Sequence, residues 1–304
     1  MKKKDLISIR DLGKDEIENL FSLAKKMEGA AKSGKKFFND KIVFNLFFEP
    51  STRTNLSFQA AAARLGCTPV AFNPQVGSVQ KGETFSDTIK IIDGYCDVIV
   101  IRHALEGSAR FASQIAEHPV INAGDGGNQH PTQTLIDLYT ISKIKGKIKG
   151  LSVHLVGDLK HARAMRSLLY GLGMFGAEVT LTAPVGLEMD PAIINEVKEK
   201  FGTKIRLTGK VDLKDADVLY VCRVQKERFA DPYEAEKIKK EFRINPEYLE
   251  RAKDDMIILH PLPKIDEIPE EVDKSKHAKY FEQARNGIPI RMAVLYTVLG
   301  GSGA

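Results

Sequence analysis

Residues 41–66 read KIVFNLFFEPSTRTNLSFQAAAARLG, and this stretch decides the fold class. The segment 41–48 is apolar and largely β-prone, which predicts a buried strand. The segment 56–65 is rich in alanine, has apolar residues at helical spacing and is followed by Gly66, which predicts a helix that ends at a glycine. Residues 51–54 therefore lie where a strand turns into a helix.

This turn, Ser51-Thr52-Arg53-Thr54, has the composition of an anion site. The N–H groups at a helix start attract anions, and three hydroxyls with one guanidinium suit a phosphate. An ordinary helix cap is the alternative, because serine and threonine are common cap residues. An arginine between two threonines, directly behind a strand, favours the anion site.

Strand and helix patterns alternate along the rest of the chain, and a second alternation starts after the Lys- and Gly-rich segment 145–150. Further strands are predicted at 69–72, 97–101, 120–123, 151–157, 178–182, 204–207, 218–222 and 256–260. Helices are predicted between most of them, and a last helix at 290–299. This alternation predicts parallel sheets and an α/β fold. A chain of 304 residues exceeds one ordinary core, so we expect two domains.

Several polar residues follow the predicted strands. Arg102 and His103 end one strand, and His130 precedes a helix that carries Gln133 one turn further on. Ligands of open α/β sheets bind at the carboxyl ends of the strands, which makes these residues candidate ligands. Surface charge remains the alternative for Arg102, and a structural hydrogen bond remains the alternative for His130.

The second half has its own pair of candidates, Arg163 and Arg223, each placed beyond a strand end. Two arginines at one sheet edge can each hold a carboxylate in a fork, although structural ion pairing remains open. The segment 171–176, GLGMFG, matches the letters of a dinucleotide loop. It follows a helix and precedes a strand, the reverse of the required order, so we interpret it as a helix end and a tight turn.

Composition narrows the function further. The net charge is +5 with both signs intermixed, and no long basic run indicates nucleic-acid binding. No segment has the length and apolarity of a signal peptide or a membrane span, so we expect a cytoplasmic protein with no membrane partner. The three cysteines, Cys67, Cys96 and Cys222, are far apart, which predicts buried thiols in a reducing compartment.

No triad-like nucleophile and no cluster of metal-ligating residues is apparent, so we expect no cofactor and no metal. Many cations and hydroxyls without a covalent catalyst suit transfer from an anionic, already activated donor, driven by positioning and electrostatics. A non-catalytic anion-binding module and a nucleotide-dependent enzyme that uses residues 171–176 are the alternatives from other classes.

Seven motifs together resemble the carbamoyltransferase family, and the resemblance covers nearly the whole chain. They are Ser51-Thr52-Arg53-Thr54, Lys81-Gly82-Glu83-Thr84, Arg102-His103, His130-Pro131-Thr132-Gln133, Gly157-Asp158-Leu159-Lys160, Arg223-Val224-Gln225-Lys226-Glu227-Arg228 and His260-Pro261-Leu262-Pro263. The last two are similar to the aspartate branch, whose ornithine relatives typically carry HCLP in place of HPLP. The resemblance implies transfer of the carbamoyl group of carbamoyl phosphate to the amine of L-aspartate. The products would be N-carbamoyl-L-aspartate and phosphate, in an early step of de novo pyrimidine biosynthesis.

The resemblance also implies a role for each matching residue. Ser51, Thr52, Arg53 and Thr54 would hold the phosphate, and Thr54, Arg102 and His130 would stabilise the carbonyl oxygen. Gln133 and the backbone carbonyls of Leu262 and Pro263 would bind the carbamoyl amide, and Arg163, Arg223 and Gln225 would hold the carboxylates of aspartate. Lys81 would enter the site from a neighbouring subunit, and Glu49 and Arg228 would support the closed arrangement of two domains.

The implied architecture has two α/β domains, each a parallel-type sheet flanked by helices, joined by crossing helices. The carbamoyl-phosphate-binding domain would span 1–131 with the C-terminal helix 288–304, and the aspartate-binding domain would span 132–287. The active unit would be a homotrimer, and regulatory chains are possible partners. Two positions depart from the family pattern. Gly77 stands where relatives often have serine, with Ser78 next to it, and Lys264 stands where many have arginine.

Overall fold

The computed structural model describes residues 5–72, 82–224 and 232–301. These residues form two compact units. The first comprises the chain up to Ile136 together with the residues from Asn286 onward, and the second runs from Asp137 to Arg285. Both boundaries between the units fall inside a helix, so two helices have residues in each unit.

The first unit is built on a parallel sheet of four strands in the order β2-β1-β3-β4. The strands are β1 (Ile42–Phe47), β2 (Thr68–Ala71), β3 (Val98–His103) and β4 (Val120–Asp125). The helices are α1 (Lys14–Ser33), α2 (Thr52–Leu65), α3 (Phe85–Asp93), α4 (Ser108–Ile115) and the start of α5 (Pro131–Lys145). A short 3₁₀ helix, Ile9–Asp11, precedes α1. Apolar residues of α3 and α4, such as Ile89 and Ala112, pack in one core with Leu46 and Ile99 of the sheet.

The second unit has a parallel sheet of five strands in the order β7-β6-β5-β8-β9. The strands are β5 (Ser152–Val156), β6 (Glu178–Thr182), β7 (Ile205–Thr208), β8 (Val218–Val221) and β9 (Ile257–Leu259). The helices are α6 (Arg163–Met174), α7 (Pro191–Phe201), α8 (Pro232–Glu241), α9 (Pro246–Leu249), α10 (Glu270–Asp273) and α11 (Tyr280–Val298). Helix α11 ends in the first unit.

The predicted fold class is confirmed, since both sheets are parallel and helices separate successive strands, except between β7 and β8. The last helix differs from the prediction, because α11 begins at Tyr280 and not at residue 290. Its interior contains Gly287 and Pro289, two residues that disfavour a helix in isolation. Tertiary burial overrides that preference, since Ile290 and Leu295 are fully buried. Helices α8, α9 and α10 were not predicted, and among the described residues no helix is long and apolar enough to cross a membrane.

Two glycines that end helices offer a matched test of this packing. Gly34 ends α1 and Gly66 ends α2, both in the left-handed conformation with φ of 74° and 92°. A Cβ on Gly34 would meet nothing within 4 Å, whereas a Cβ on Gly66 would lie 2.0 Å from the carbonyl oxygen of Phe38. Glycine is therefore required at position 66 for space as well as for conformation.

We expect Gly66→Ala to lower the free energy of unfolding by about 2–5 kcal/mol, combining about 1–2 for the left-handed backbone with about 1–3 for overpacking. Gly34→Ala should cost only the conformational part, about 1–2 kcal/mol. Denaturant unfolding of the two variants against the parent chain measures both values. Equal losses in the two variants would contradict the role of the Phe38 contact.

Candidate active site

The start of helix α2 carries the anion-site candidates. Helix α2 begins at Thr52, so Thr52, Arg53 and Thr54 occupy its first turn and Ser51 is the residue before it. The Ser51 hydroxyl makes no capping hydrogen bond, and the first turn contains no acidic residue. The ordinary cap interpretation is therefore not supported for Ser51. The exposed guanidinium of Arg53 is desolvated enough by the surrounding protein to lower its pKa, although an arginine stays charged.

A buried asparagine fixes this helix start on the sheet. Asn45, in the middle of β1, is fully buried, and its Nδ2 donates to Oδ1 of Asn55 over 3.1 Å. The same oxygen accepts from Nε2 of Gln59 over 2.8 Å. Because Asn55 directly follows Thr54, this tie holds the first turn of α2 in a defined place beside β1. Sequence reasoning missed Asn45, since one polar letter inside an apolar strand has no periodic signal.

Arg102 lies at the carboxyl end of β3, one residue before the end of the strand. Its Nε lies 3.2 Å from Oε2 of Glu49, and its Nη1 donates to the carbonyl oxygen of Ala123 over 3.3 Å. Only 13 % of the Arg102 side chain is exposed. Two contacts from neighbouring segments thus hold the guanidinium at the same sheet edge as the start of α2. Glu49, which the resemblance assigns to domain closure, contacts Arg102 here.

His103 points to the opposite face of β3, as strand alternation requires. Its Nδ1 accepts from the backbone N–H of Leu105 over 2.9 Å, and its ring packs edge-on against Phe48 and Phe85. Burial lowers the pKa of His103 below its usual value. The pair Arg102-His103 therefore divides into a residue at the candidate site and a structural histidine.

His130 and Gln133 stand at the start of α5, beyond β4. His130 is 6 % exposed, its Nδ1 lies 3.4 Å from Oγ1 of Thr132, and its carbonyl oxygen accepts from the N–H of Gln133. The loop before it is organised by Asp125, which is 1 % exposed. Asp125 accepts hydrogen bonds from Gly107, Asn122, Asn128 and Gln129 over 2.8–3.1 Å. Asp125 was not among the predicted site residues, because its role depends on donors from a distant loop.

In the second unit, Arg163 is the first residue of α6, and Arg223 follows β8 by two residues. Strands β5 and β8 are neighbours, and their following loops touch. A Cβ at Gly157 would lie 2.2 Å from the carbonyl oxygen of Cys222, and the Cys222 thiol donates to the Asp158 carbonyl. This close approach requires glycine and brings the loops of the two arginines together at one sheet edge.

Leu262 and Pro263 follow β9, the next strand along the same edge. Leu262 has a φ of 55°, which leucine rarely adopts. Its N–H donates to Nδ1 of His260 over 2.8 Å, and Nε2 of that ring lies 2.9 Å from Oε1 of Glu267. Burial would raise the pKa of the Glu267 carboxyl, but the hydrogen bonds from His260 and the backbone outweigh it and hold the pKa below its usual value.

The cysteines are poor nucleophiles. Burial raises the pKa of the Cys67 thiol to about 11 and that of Cys96 to about 12. Burial also raises the pKa of Cys222 well above its usual value. All three are buried free thiols, as the sequence predicted, and they stay protonated at neutral pH. The part of the chain that the structure describes holds no group of side chains suited to a metal ion.

Three predicted site residues, Lys81, Gln225 and Arg228, lie outside the described residues, as do Gly77 and Ser78. The others fall into two sets. Ser51, Thr52, Arg53, Thr54, Arg102, His130 and Gln133 lie at the carboxyl edge of the first sheet, and Arg163, Arg223, Leu262 and Pro263 lie at that of the second. Each unit therefore presents cationic and hydrogen-bonding groups where α/β sheets bind ligands.

Each of the two parallel sheets has arginines at the C-terminal ends of its strands. This arrangement defines a two-domain α/β protein suited to anionic substrates. Residues 4–143 match the family profile of the aspartate/ornithine carbamoyltransferase carbamoyl-P binding domain, and residues 149–298 match that of the Asp/Orn binding domain. The chain belongs to the aspartate/ornithine carbamoyltransferase family.

The most similar individual relatives that we compared are from the aspartate branch of this family. The chain is 49% identical over 302 residues to the aspartate carbamoyltransferase catalytic subunit of Methanocella arvoryzae, with 98% of both chains covered. It is 46% identical to the solved catalytic subunit of M. jannaschii aspartate transcarbamoylase, with a TM-score of 0.91 and 97% of both chains covered. The Trypanosoma cruzi aspartate transcarbamoylase, solved with carbamoyl phosphate and aspartate, is 36% identical, with a TM-score of 0.92 and coverage of 97% and 95%.

Proposed function

We propose that this chain is an aspartate carbamoyltransferase, which transfers the carbamoyl group of carbamoyl phosphate to L-aspartate. The observation that carries the proposal is the edge of the first sheet. There the start of α2 carries Arg53 and the hydroxyls of residues 51, 52 and 54, with no capping hydrogen bond from Ser51, and the Arg102 guanidinium lies beside Glu49 at the end of β3. The similarity to a relative solved with both substrates supports the same reaction.

In the first unit, Ser51, Thr52, Arg53 and Thr54 bind the phosphate through hydroxyls, a guanidinium and the helix-start N–H groups. The amine of aspartate attacks the carbamoyl carbon, and a tetrahedral intermediate forms with negative charge on the former carbonyl oxygen. Thr54, Arg102 and His130 stabilise that oxyanion. The intermediate then collapses as the bond between the carbamoyl carbon and the phosphate oxygen breaks. The leaving phosphate takes up the proton that the attacking amine loses, and no covalent enzyme intermediate forms.

In the second unit, Arg163 and Arg223 bind the two carboxylates of aspartate, together with Gln225. The contact between Gly157 and Cys222 supports this role, because it brings the loops of both arginines together. The carbamoyl amide donates hydrogen bonds to the backbone carbonyls of Leu262 and Pro263. The side chain of Gln133 also binds this amide. Ornithine lacks a second carboxylate and carries a cationic side chain, so a pair of arginines suits aspartate better.

The assembly we propose is a homotrimer in which Lys81 enters the site of a neighbouring subunit and also contacts aspartate. Arg228, with Glu49, supports closure around the substrates. The enzyme acts in the cytoplasm, in an early step of pyrimidine biosynthesis, and regulatory chains are possible partners. The size of the particle in solution, measured by light scattering, tests the trimer directly.

The decisive experiment is a colorimetric assay of the ureido product after incubation with carbamoyl phosphate and either aspartate or ornithine. We expect product with aspartate only. Product with ornithine only would keep the phosphate site and overturn the roles of Arg163 and Arg223. No product with either acceptor would contradict the proposed activity of this chain by itself.

Thermal unfolding with added ligand separates the proposal from a nucleotide-dependent enzyme. Carbamoyl phosphate at about 100 times its dissociation constant should stabilise the folded chain by about 2.7 kcal/mol, because it binds only the folded state. NAD should produce no shift, since Gly171 and Gly173 lie inside helix α6 and not in a loop that opens a helix. A shift with NAD alone would contradict the assignment.

A further inference from the structure

A buried polar network underlies the turn that contains Leu262 and Pro263. The N–H of Leu262 donates to Nδ1 of His260 over 2.8 Å, and Nε2 of His260 lies 2.9 Å from Oε1 of Glu267. Glu267 also accepts from the N–H of Ile265 through both oxygens, at 3.2 Å each. The exposed fractions of the His260 and Glu267 side chains are 1 % and 8 %. A single histidine thus links both ends of a short loop.

The same histidine is anchored to the rest of the unit through its backbone. The N–H of His260 donates to Oε1 of Gln283 over 2.9 Å, and Nε2 of Gln283 donates to Oδ1 of Asp137 over 2.6 Å. The second oxygen of Asp137 accepts from the Tyr220 hydroxyl over 2.9 Å. This series connects the turn to helix α5, helix α11 and strand β8, so the position of His260 is set by three separate elements.

We propose that His260, oriented by Glu267, is a positioning residue that holds the Leu262–Pro263 turn so that its backbone carbonyls meet the carbamoyl amide. This inference rests on the proposed function, because that function makes the two carbonyls part of the substrate site. The imidazole is neutral and carries its proton on Nε2, since Nδ1 accepts from an N–H and Nε2 donates to a carboxylate.

The geometry explains why a paired histidine and glutamate are needed at this turn. A φ of 55° places Leu262 in a conformation that most residues leave, so its N–H needs a fixed acceptor to keep it there. An acceptor two residues back along the chain is the arrangement of an Asx turn, in which an asparagine side chain accepts the same bond. Glu267 fixes which ring nitrogen is the acceptor. Without it, either tautomer is accessible and the Leu262 bond is made only part of the time.

Two substitutions at one position isolate the acceptor. His260→Ala and His260→Asn both remove the bond to Glu267, but asparagine can still accept from the Leu262 N–H. We expect His260→Ala to lower kcat/KM for carbamoyl phosphate roughly 10- to 100-fold, because small displacements of substrate-binding groups have effects of this size. His260→Asn should recover most of that loss. Glu267→Gln should give an intermediate loss of roughly three- to tenfold.

His277→Asn is the matched control. His277 is a buried histidine of the same unit, and its Nδ1 bonds to the Met256 carbonyl, away from the turn. The melting temperature of the His277→Asn variant should fall while its kcat/KM stays at the parental value. All variants are assayed well below their measured melting temperatures, so that each measurement is made on folded protein.

The outcomes separate this inference from the proposed function. A parental enzyme that forms no carbamoyl aspartate would overturn the proposed function, and the positioning role with it. A parental enzyme that is active, with His260→Ala unchanged or with His260→Ala and His260→Asn equally impaired, would overturn the positioning role alone. A loss in His277→Asn equal to that in His260→Ala would show general destabilisation and would also overturn it.

Discussion

Arg102→Ala should lower turnover by about 10²–10³-fold while the protein stays folded. The expected size corresponds to about 2.7–4 kcal/mol of barrier, the usual cost of one lost oxyanion donor. The guanidinium is in place before substrate arrives, because Glu49 and the Ala123 carbonyl hold it at the end of β3. Stabilisation of the transition state therefore requires little rearrangement of this side chain.

The measurement is kcat for carbamoyl aspartate formation, and circular dichroism reports whether the fold survives. Arg110→Ala is the matched control, because Arg110 is a half-exposed arginine of the same unit that pairs with Asp11. It removes the same charge and should leave kcat unchanged. Arg102→Lys keeps the charge but loses the fork, so we expect a value between those of the parent and the alanine variant. An unchanged rate in Arg102→Ala would remove Arg102 from the mechanism.

Strand β1, helix α2 and the turn at residues 51–54 could be predicted from sequence because neighbouring residues determine them. The apolar run before Glu49 and the alanine-rich run after Thr54 specify a strand and a helix, and the structure has β1 and α2 there. The motif in between necessarily lies at the helix start. Alternation along β3 also predicts that Arg102 and His103 lie on opposite faces of the strand.

The contacts that organise the site could not be predicted in the same way, because they join residues with no regular spacing. Asn45 meets Asn55 across a strand–helix turn, and Asp125 accepts from Gly107 in another loop. His260 and Glu267 form a hydrogen-bonded pair, and its proposed role depends on the unusual φ of Leu262, which lies between them in the sequence. Each contact needs the folded chain before its partners are close, and none leaves a pattern in composition or periodicity.

Arg163→Ala should raise the Michaelis constant for aspartate roughly 10- to 150-fold, the factor that corresponds to about 1.5–3 kcal/mol for hydrogen bonds to a charged group. Arg163 begins helix α6, and the loop before it is held against Cys222 at Gly157. This contact fixes the loop that leads into α6, so truncation should remove the proposed carboxylate contact without moving the neighbouring residues. The Michaelis constant for carbamoyl phosphate should change much less, because its proposed phosphate site lies in the other unit.

The comparison of both Michaelis constants makes this prediction specific. Arg206→Ala is the control, because Arg206 is an exposed arginine on the edge strand β7 of the same sheet. General loss of positive charge would weaken aspartate binding equally in the two variants and would be reduced by salt. If Arg163 contacts a carboxylate of aspartate directly, only Arg163→Ala weakens aspartate binding, and this loss persists at higher ionic strength. An Arg163→Ala enzyme with unaltered aspartate kinetics would leave Arg163 as a structural ion-pairing residue, the alternative that its sequence position left open.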